Sequence, residues 1–275
     1  MPEINPLIKW PGGKNSEIKY IKRFIPAQYD RYIEPFFGGG AMFFYLQPQR
    51  ALINDIAINL MDFYSLIKAQ NKEFFLYLNA YGNLINELIK STEKYYNDIL
   101  LNRNQRTSKA YNSANFYYIR EYCYGSMFRY NNYGEFNIPY GGVTYNRKNF
   151  ISKINAITSI NVKEIFEKTD IYCMDFEEFL YNINLNEKDF LFLDPPYDTE
   201  FSEYNGKVFN QKDQARLAEF LKQTKAKFIL IIKNTDYIYS LYKNNFKIFY
   251  FNKTYTYNVK SRNERKVKHL IITNI

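Results

Sequence analysis

The residues best suited to chemistry are Asp194-Pro195-Pro196-Tyr197, which follow the apolar run Phe190-Leu191-Phe192-Leu193. That run has the length and composition of a buried strand. Proline removes a ladder donor and confines its predecessor to extended geometry, so the strand stops and Asp194 and Tyr197 are presented on a stiff turn at its carboxyl end. The carboxylate there is a hydrogen-bond acceptor and the ring a stacking surface. Open α/β sheets place their ligands at such strand ends. A strand closed by an ordinary proline turn would carry the same four residues, so the rest of the chain must decide between the two.

Three further stretches bear on that decision. Arg31 to Phe36 reads as a strand that runs into Gly38-Gly39-Gly40 and a helix beginning near Ala41, the opening of a nucleotide-binding doubly wound sheet. The spacing differs from the dinucleotide fingerprint and no Gly-Lys-Ser/Thr follows. The loop therefore suits a ligand that approaches glycine backbone without offering a pyrophosphate, with Glu34 placed to meet a cationic group. A second strand, Ala51 to Asn54, ends at Asp55, which reads either as an acceptor for ribose hydroxyls or as the N-cap of a helix over 56–68. The opening Lys9-Trp10-Pro11-Gly12-Gly13-Lys14 joins the only tryptophan to two glycines and two lysines. Glycine there admits close backbone approach and Trp10 a stacked ring; an ordinary amino-terminal turn is the plain alternative.

The elements that must position these groups alternate between strand and helix at both ends of the chain. A helix is expected over 15–24, capped by Asn15 or Ser16, and a strand at Ile171 to Met174 leads to Asp175-Phe176, an acceptor beside a ring. Strands follow at 227–233, 246–251 and 269–273, with a helix over 212–222. From about 71 to 161 the alternation is lost, with helical patterns at 74–89 and 113–124. An unstructured insertion of that length is uncommon, so the stretch reads as an inserted domain. Within it, Phe128 to Gly141 has the pattern of a hairpin about an Asn/Gly turn. Its Arg129, Tyr130, Asn131, Tyr133 and Asn137 have the donors and rings that read base edges and wedge between bases. Lys253 to Lys266 is a basic stretch interleaved with Tyr and Asn, suited to phosphate contact.

Composition narrows the class. Hydrophobic residues at 46% and aromatics at 19% exclude disorder as the main state. The formal charge of +9, from 37 Lys+Arg against 28 Asp+Glu, favours a polyanionic partner. A Lys-, Asn-, Ile- and Tyr-rich codon composition gives the same excess without one. Two cysteines and a single histidine, His269, leave no expected zinc site, disulfide framework or histidine triad. Without an apolar run of about 18 residues or a signal-like amino terminus, a soluble intracellular protein is expected.

Taken in order, Lys9-Trp10-Pro11-Gly12-Gly13-Lys14, Glu34-Pro35-Phe36-Phe37-Gly38-Gly39-Gly40, Arg129-Tyr130-Asn131 with Gly134-Glu135-Phe136-Asn137-Ile138-Pro139-Tyr140-Gly141, and Asp194-Pro195-Pro196-Tyr197 resemble the Dam-type (D12 class) DNA adenine N6-methyltransferases. The resemblance is collinear over nearly the whole chain. It implies an α/β fold: a Rossmann-like methyltransferase sheet formed by 1–57 and 160–275, with a mostly helical target-recognition domain at 58–159 that carries the hairpin. It also implies S-adenosylmethionine as cofactor and double-stranded DNA as partner, with no metal and no membrane. A monomer in the bacterial or phage-infected cytoplasm near the nucleoid fits this reading, as does a cognate restriction endonuclease that does not contact it.

Carried across residue by residue, the resemblance places Trp10 and Lys14 in the opening donor-binding motif. It places Glu34, Phe36, Gly38 and Gly40 in the loop holding the donor's methionine part, Asp55 at its ribose, and Asp175 and Phe176 at its adenine. Asp194, also a donor-site residue, begins the catalytic motif Asp194, Pro195, Pro196 and Tyr197. Lys14, Arg129, Tyr130, Asn131, Tyr133, Asn137, Pro139, Tyr140, Lys260, Arg262, Asn263, Arg265 and Lys266 are the expected DNA contacts. Two departures stand out. Pro11 replaces a small residue or threonine, and Gly142-Val143-Thr144-Tyr145-Asn146-Arg147 does not follow the Dam pattern, which leaves the recognition sequence open around a GATC-like site.

The chemistry follows from the amine. Its lone pair is delocalised into the adenine ring, and the base is inaccessible while stacked, so it must be flipped out. Asp194 and the Pro195 carbonyl are expected to accept the two N6 hydrogens while Tyr197 stacks on the extruded ring. Direct transfer then depends on positioning. The rival readings are a cytosine N4-methyltransferase, an RNA methyltransferase, and a catalytically silent DNA-binding module of the same fold.

Overall fold

A computed structural model describes residues 3–87, 92–101, 107–127, 129, 131, 136–197, 203–204, 207–254 and 266–275. The expected strands at 190–193 and 227–233 are long apolar runs because both of their faces are covered. β1 (Arg31–Glu34), β2 (Ala51–Asn54), β3 (Thr169–Tyr172), β4 (Asp189–Leu193), β7 (Lys227–Lys233), β8 (Lys247–Thr254) and β9 (Lys266–Thr273) form one sheet in the order β3-β2-β1-β4-β7-β9-β8. Pairing is parallel for β1 with β2, β1 with β4 and β4 with β7, and antiparallel where β9 meets β7 and β8. β5 (Glu203–Tyr204) and β6 (Lys207–Val208) make a separate short pair within the stretch 198–211. All five residues of β4 are buried. The Arg31 guanidinium fixes the amino ends of β1 and β4, donating to both oxygens of the fully buried Asp189 at 2.8 and 2.6 Å.

The helices are α1 (Ile18–Ile21), α2 (Ala41–Leu46), α3 (Ile58–Lys68), α4 (Lys72–Glu87), α5 (Thr92–Leu101), α6 (Lys109–Tyr122), α7 (Phe150–Ile157), α8 (Ile160–Glu167), α9 (Phe176–Asn182), α10 (Gln211–Gln223) and α11 (Asp236–Tyr242). The helix expected over 15–24 is shorter at its start, and Glu17 is the N-cap in place of Asn15 or Ser16. The cause is a turn in which the Glu17 and Ile18 amides donate to the Lys14 carbonyl.

The chain packs as two compact units, both discontinuous. One comprises 1–13, 38–47 and 55–173; the other comprises 14–37, 48–54 and 174–275. The first is built on α3 to α8 and has an aromatic core in which Phe63 and Tyr117 stack at 5.0 Å and Tyr118 meets Tyr122 at 4.7 Å. Residues 58–159 fall wholly inside it. In the second, β1 and β4 are neighbours whose following strands run to opposite sides, β2 beyond β1 and β7 beyond β4. That reversal is the topological switch point, and the segments leaving the carboxyl ends of β1 and β4 are where such a sheet binds ligand.

The hairpin expected over 128–141 lies partly outside the described residues, as do Tyr130 and Tyr133. Among the described residues, Arg129 donates to the Asn137 side-chain oxygen at 2.8 Å and its carbonyl accepts the Asn137 amide at 3.2 Å, across the expected turn. Tyr140 bridges back to Cys123 at the end of α6, a contact that spacing along the hairpin alone does not specify.

Candidate active site

Residues of the sheet-bearing unit form the first group. β4 ends at Leu193, and Asp194 meets the Lys14 ammonium at 2.6 Å. Lys14 is buried, and its ammonium lies 5.4 Å from the Tyr197 ring centroid. Burial alone would lower the Lys14 pKa, but Asp194, Tyr197 and Glu17 outweigh it and the ammonium is held charged. Burial raises the Asp194 pKa while Lys14 opposes the rise. Burial likewise pushes the Tyr197 phenol up, so its ring is neutral. The Pro196 carbonyl is fixed by the amide of Gln214, a fully buried side chain of α10, at 3.0 Å.

The same unit carries Asp175 and Phe176, read as binding the donor's adenine, and Phe36, read as part of the loop at its methionine. Phe36, just past β1, lies 5.2 Å from Phe176 and edge-on to Phe209 at 5.6 Å. Asp175 caps α9 by accepting the Glu177 amide at 2.9 Å and also receives Arg216 from α10 at 2.7 Å. Arg216 bonds Glu177 and Asp213 as well, and its guanidinium covers the Phe176 ring at 4.9 Å. Glu34 is buried and accepts the Tyr32 hydroxyl at 2.7 Å.

In the other unit the glycine loop is built against Trp10. A Cβ on Gly38, whose φ is +50°, would meet Trp10 Cδ1 at 2.7 Å, and one on Gly39 would meet Trp10 Cβ at 3.2 Å. Asp55 holds this loop: one carboxylate oxygen accepts the Gly38 amide at 2.8 Å and the other the Ala57 amide at 3.0 Å. Its pKa is raised by burial against the lowering of those bonds. Gly40 caps α2 in a left-handed conformation.

Fully buried Arg120 of α6 donates to the Lys9 carbonyl at 2.8 Å and the Met127 carbonyl at 2.6 Å. It thereby ties the opening motif to the segment that leads to Arg129. Arg129, Asn137 and Pro139 are exposed, Asn131 is half-buried, and half-buried Tyr140 packs on Tyr96. Lys260, Arg262, Asn263 and Arg265 lie outside the described residues, and Lys266 is the first residue of β9.

Sequence spacing brought Lys14 and Asp194 to notice separately and did not pair them. It missed Glu17, Arg120, Phe209, Gln214 and Arg216, and it considered His269 only as a triad base. The one available signal was the position of Glu17, three residues after Lys14 on an expected helix. Among the described residues no group of three or more His, Cys, Asp or Glu is placed to hold a metal ion, and no helix is long and apolar enough to cross a membrane.

The family profile of the D12 class N6 adenine-specific DNA methyltransferases matches residues 10–257. The chain is 32% identical to the Type II methyltransferase M.CviBI of Paramecium bursaria Chlorella virus NC1A, over 98% of this chain and 100% of that protein. It is 30% identical to the Type II methyltransferase M1.LlaDCHI of Lactococcus lactis subsp. cremoris, over 98% and 95%. It is 27% identical to a DNA adenine methylase of Vibrio cholerae, over 82% and 78%.

Proposed function

We propose that this chain, which belongs to the D12 class N6 adenine-specific DNA methyltransferases, uses the acceptors that follow β4 to hold the adenine amine and S-adenosylmethionine as the methyl source. The observation that carries the reading is Asp194, set at the carboxyl end of a fully buried strand and matched to a buried ammonium at 2.6 Å.

The residues present fit the donor. The aromatic group of Phe36, Phe176 and Phe209 beside the Asp175 carboxylate suits a flat heterocycle with an exocyclic amine. Trp10, Lys14, Glu34, Gly38, Gly40, Asp55 and Asp194 are the remaining proposed donor-site residues, and the missing Cβ of Gly38 is what lets the Trp10 indole pack against that loop. When bound, the donor supplies an electrophilic methyl group on a sulfonium. Asp194 and the Pro195 carbonyl accept the two N6 hydrogens and turn the nitrogen lone pair toward the methyl, and Pro196, held by Gln214, keeps the turn rigid. Tyr197 stacks on the flipped base. The phenol is neutral, and direct transfer from sulfonium to nitrogen needs no covalent enzyme intermediate, so catalysis is left to positioning.

Residues 58–159 serve as the target-recognition domain, and Arg129, Tyr130, Asn131, Tyr133, Asn137, Pro139 and Tyr140 select a GATC-related site. Lys14, Lys260, Arg262, Asn263, Arg265 and Lys266 complete the DNA contacts. The enzyme acts as a monomer on chromosomal or phage DNA in the cytoplasm. The Type II relatives support a restriction–modification setting. The test is to map methylated bases in DNA from cells expressing the chain. N6-methyladenine in one short sequence context is expected, and N4-methylcytosine or no modified base would overturn the reading.

A further inference from the structure

Around Asp194 lies a buried charge cluster larger than the Lys14 pair. Glu17, 2% exposed, accepts a hydrogen bond from the Lys253 ammonium at the end of β8, and its other oxygen lies 3.9 Å from His269 Nδ1 on β9. Glu17 and Lys14 leave the same turn, because the Glu17 amide donates to the Lys14 carbonyl at 2.8 Å. His269 is fully buried, edge-on to Tyr197 at 5.3 Å and 5.4 Å from Phe251. Burial, with Lys253, Lys14 and Lys233 adding to it, holds its pKa down to about 3, so it is a neutral spacer. Among the charged groups that act on Asp194 itself, Lys14 and Lys253 thus face Glu17, with Lys233 a further cation that acts on His269. Among the described residues the Tyr197 and Tyr32 phenols also interact with Asp194, and both are kept neutral by burial.

We propose that Glu17 and Lys253 are positioning residues for the amine acceptor: their ion pair balances the Lys14–Asp194 pair, sets the charge state of Asp194 and links it to the start of the basic stretch after β8. This rests on the reading of Asp194 as that acceptor. Neutralising Glu17 leaves Asp194 facing two cations and favours its ionised form. Neutralising Lys253 leaves two anions sharing one cation and disfavours it. Neutralising both restores balance. These signs agree with Glu17 raising and Lys253 lowering the Asp194 pKa.

The experiment measures single-turnover methylation against pH, at saturating DNA and S-adenosylmethionine, for the wild type, Glu17→Gln, Lys253→Met and the double variant. A carbon-13 titration of the Asp194 carboxyl without DNA accompanies it. The acid limb is expected to move about 1 pH unit lower in Glu17→Gln and about 1 unit higher in Lys253→Met, tenfold in rate on the limb, and to return close to wild type in the double variant. Shifts of the same sign, no shift, or a double variant that simply adds two losses would overturn the proposal. If the single variants do not fold, the double variant and the charge-keeping Glu17→Asp and Lys253→Arg decide it, since a displaced limb in any of them contradicts charge balance. Asp194→Asn separates the two ideas. Wild-type turnover in that variant sinks the acceptor reading itself, whereas a dead Asp194→Asn with an unmoved limb in Glu17→Gln sinks only the coupling.

Discussion

Asp194 carries two requirements that pull against each other. As the proposed amine acceptor it must be enclosed to exclude water from a flipped base, yet enclosure raises its pKa and disfavours the carboxylate that accepts hydrogen bonds. Lys14 at 2.6 Å resolves the conflict. Asp194→Ala is therefore expected to cut single-turnover methylation by at least about a hundredfold, with the donor's affinity, measured by calorimetry, falling far less because Asp194 is one proposed donor-site residue among several. It should also lower the thermal midpoint more than Asp194→Asn, which can still accept from the buried ammonium. Near-normal turnover in either variant would remove Asp194 from the mechanism. Arg216 poses a different case, because it bonds Asp175 and Glu177 while covering the Phe176 ring. Its side chain is 37% exposed, so its ion pairs are screened and contribute little to stability. Arg216→Leu should leave unfolding nearly unchanged and weaken donor binding about tenfold, a loss of about 1.4 kcal/mol. An unaltered donor affinity would show that the orientation of Asp175 is set without Arg216.

Strand ends do the positioning in the sheet-bearing unit, and glycine does it in the other. Gly38 combines φ +50° with a Cβ position 2.7 Å from Trp10 Cδ1, whereas Gly12 has φ +79° and nothing within 4 Å. Alanine at Gly12 therefore reports left-handed strain alone, about 1 kcal/mol, and alanine at Gly38 adds a clash with an indole that the loop is built on, for about 2–4 kcal/mol in all. Denaturant midpoints of the two variants measure the difference, and equal values would mean that the Trp10 contact costs nothing to displace. These elements also show what a sequence can convey. β4 and β7 were legible because burial on both faces writes itself as an uninterrupted apolar run. The true cap of α1 was not, because Glu17 makes no side-chain capping bond there and its carboxylate serves Lys253 instead. The Tyr140 bridge to Cys123 was equally hidden, since local spacing says nothing of a contact with the end of α6.

At the scale of the whole molecule, what was legible at the candidate site was backbone chemistry: the glycine loop, the proline turn and the carboxylates adjoining them. What was not legible were the side chains that brace them from far along the chain. Arg120 reaches Lys9 across 111 residues, Arg216 reaches Asp175 across 41, and Lys253 reaches Glu17 across 236. No periodicity records such pairs, because they exist only once folding has brought the segments together. The net charge of +9 belongs to this scale too, and it has two explanations that differ in a measurable way. If the excess neutralises phosphates, binding releases counterions, and the logarithm of DNA affinity falls linearly with that of salt, with a slope of about −0.9 per phosphate contact. An interface with about six such contacts loses on the order of a thousandfold in affinity between 50 and 200 mM salt. Donor affinity in the same titration should stay nearly flat, because aromatic contacts and short buried bonds are little screened. A fluorescence-anisotropy titration with a short duplex measures the slope. A value near zero would assign the basic excess to codon composition and leave recognition to base contacts alone.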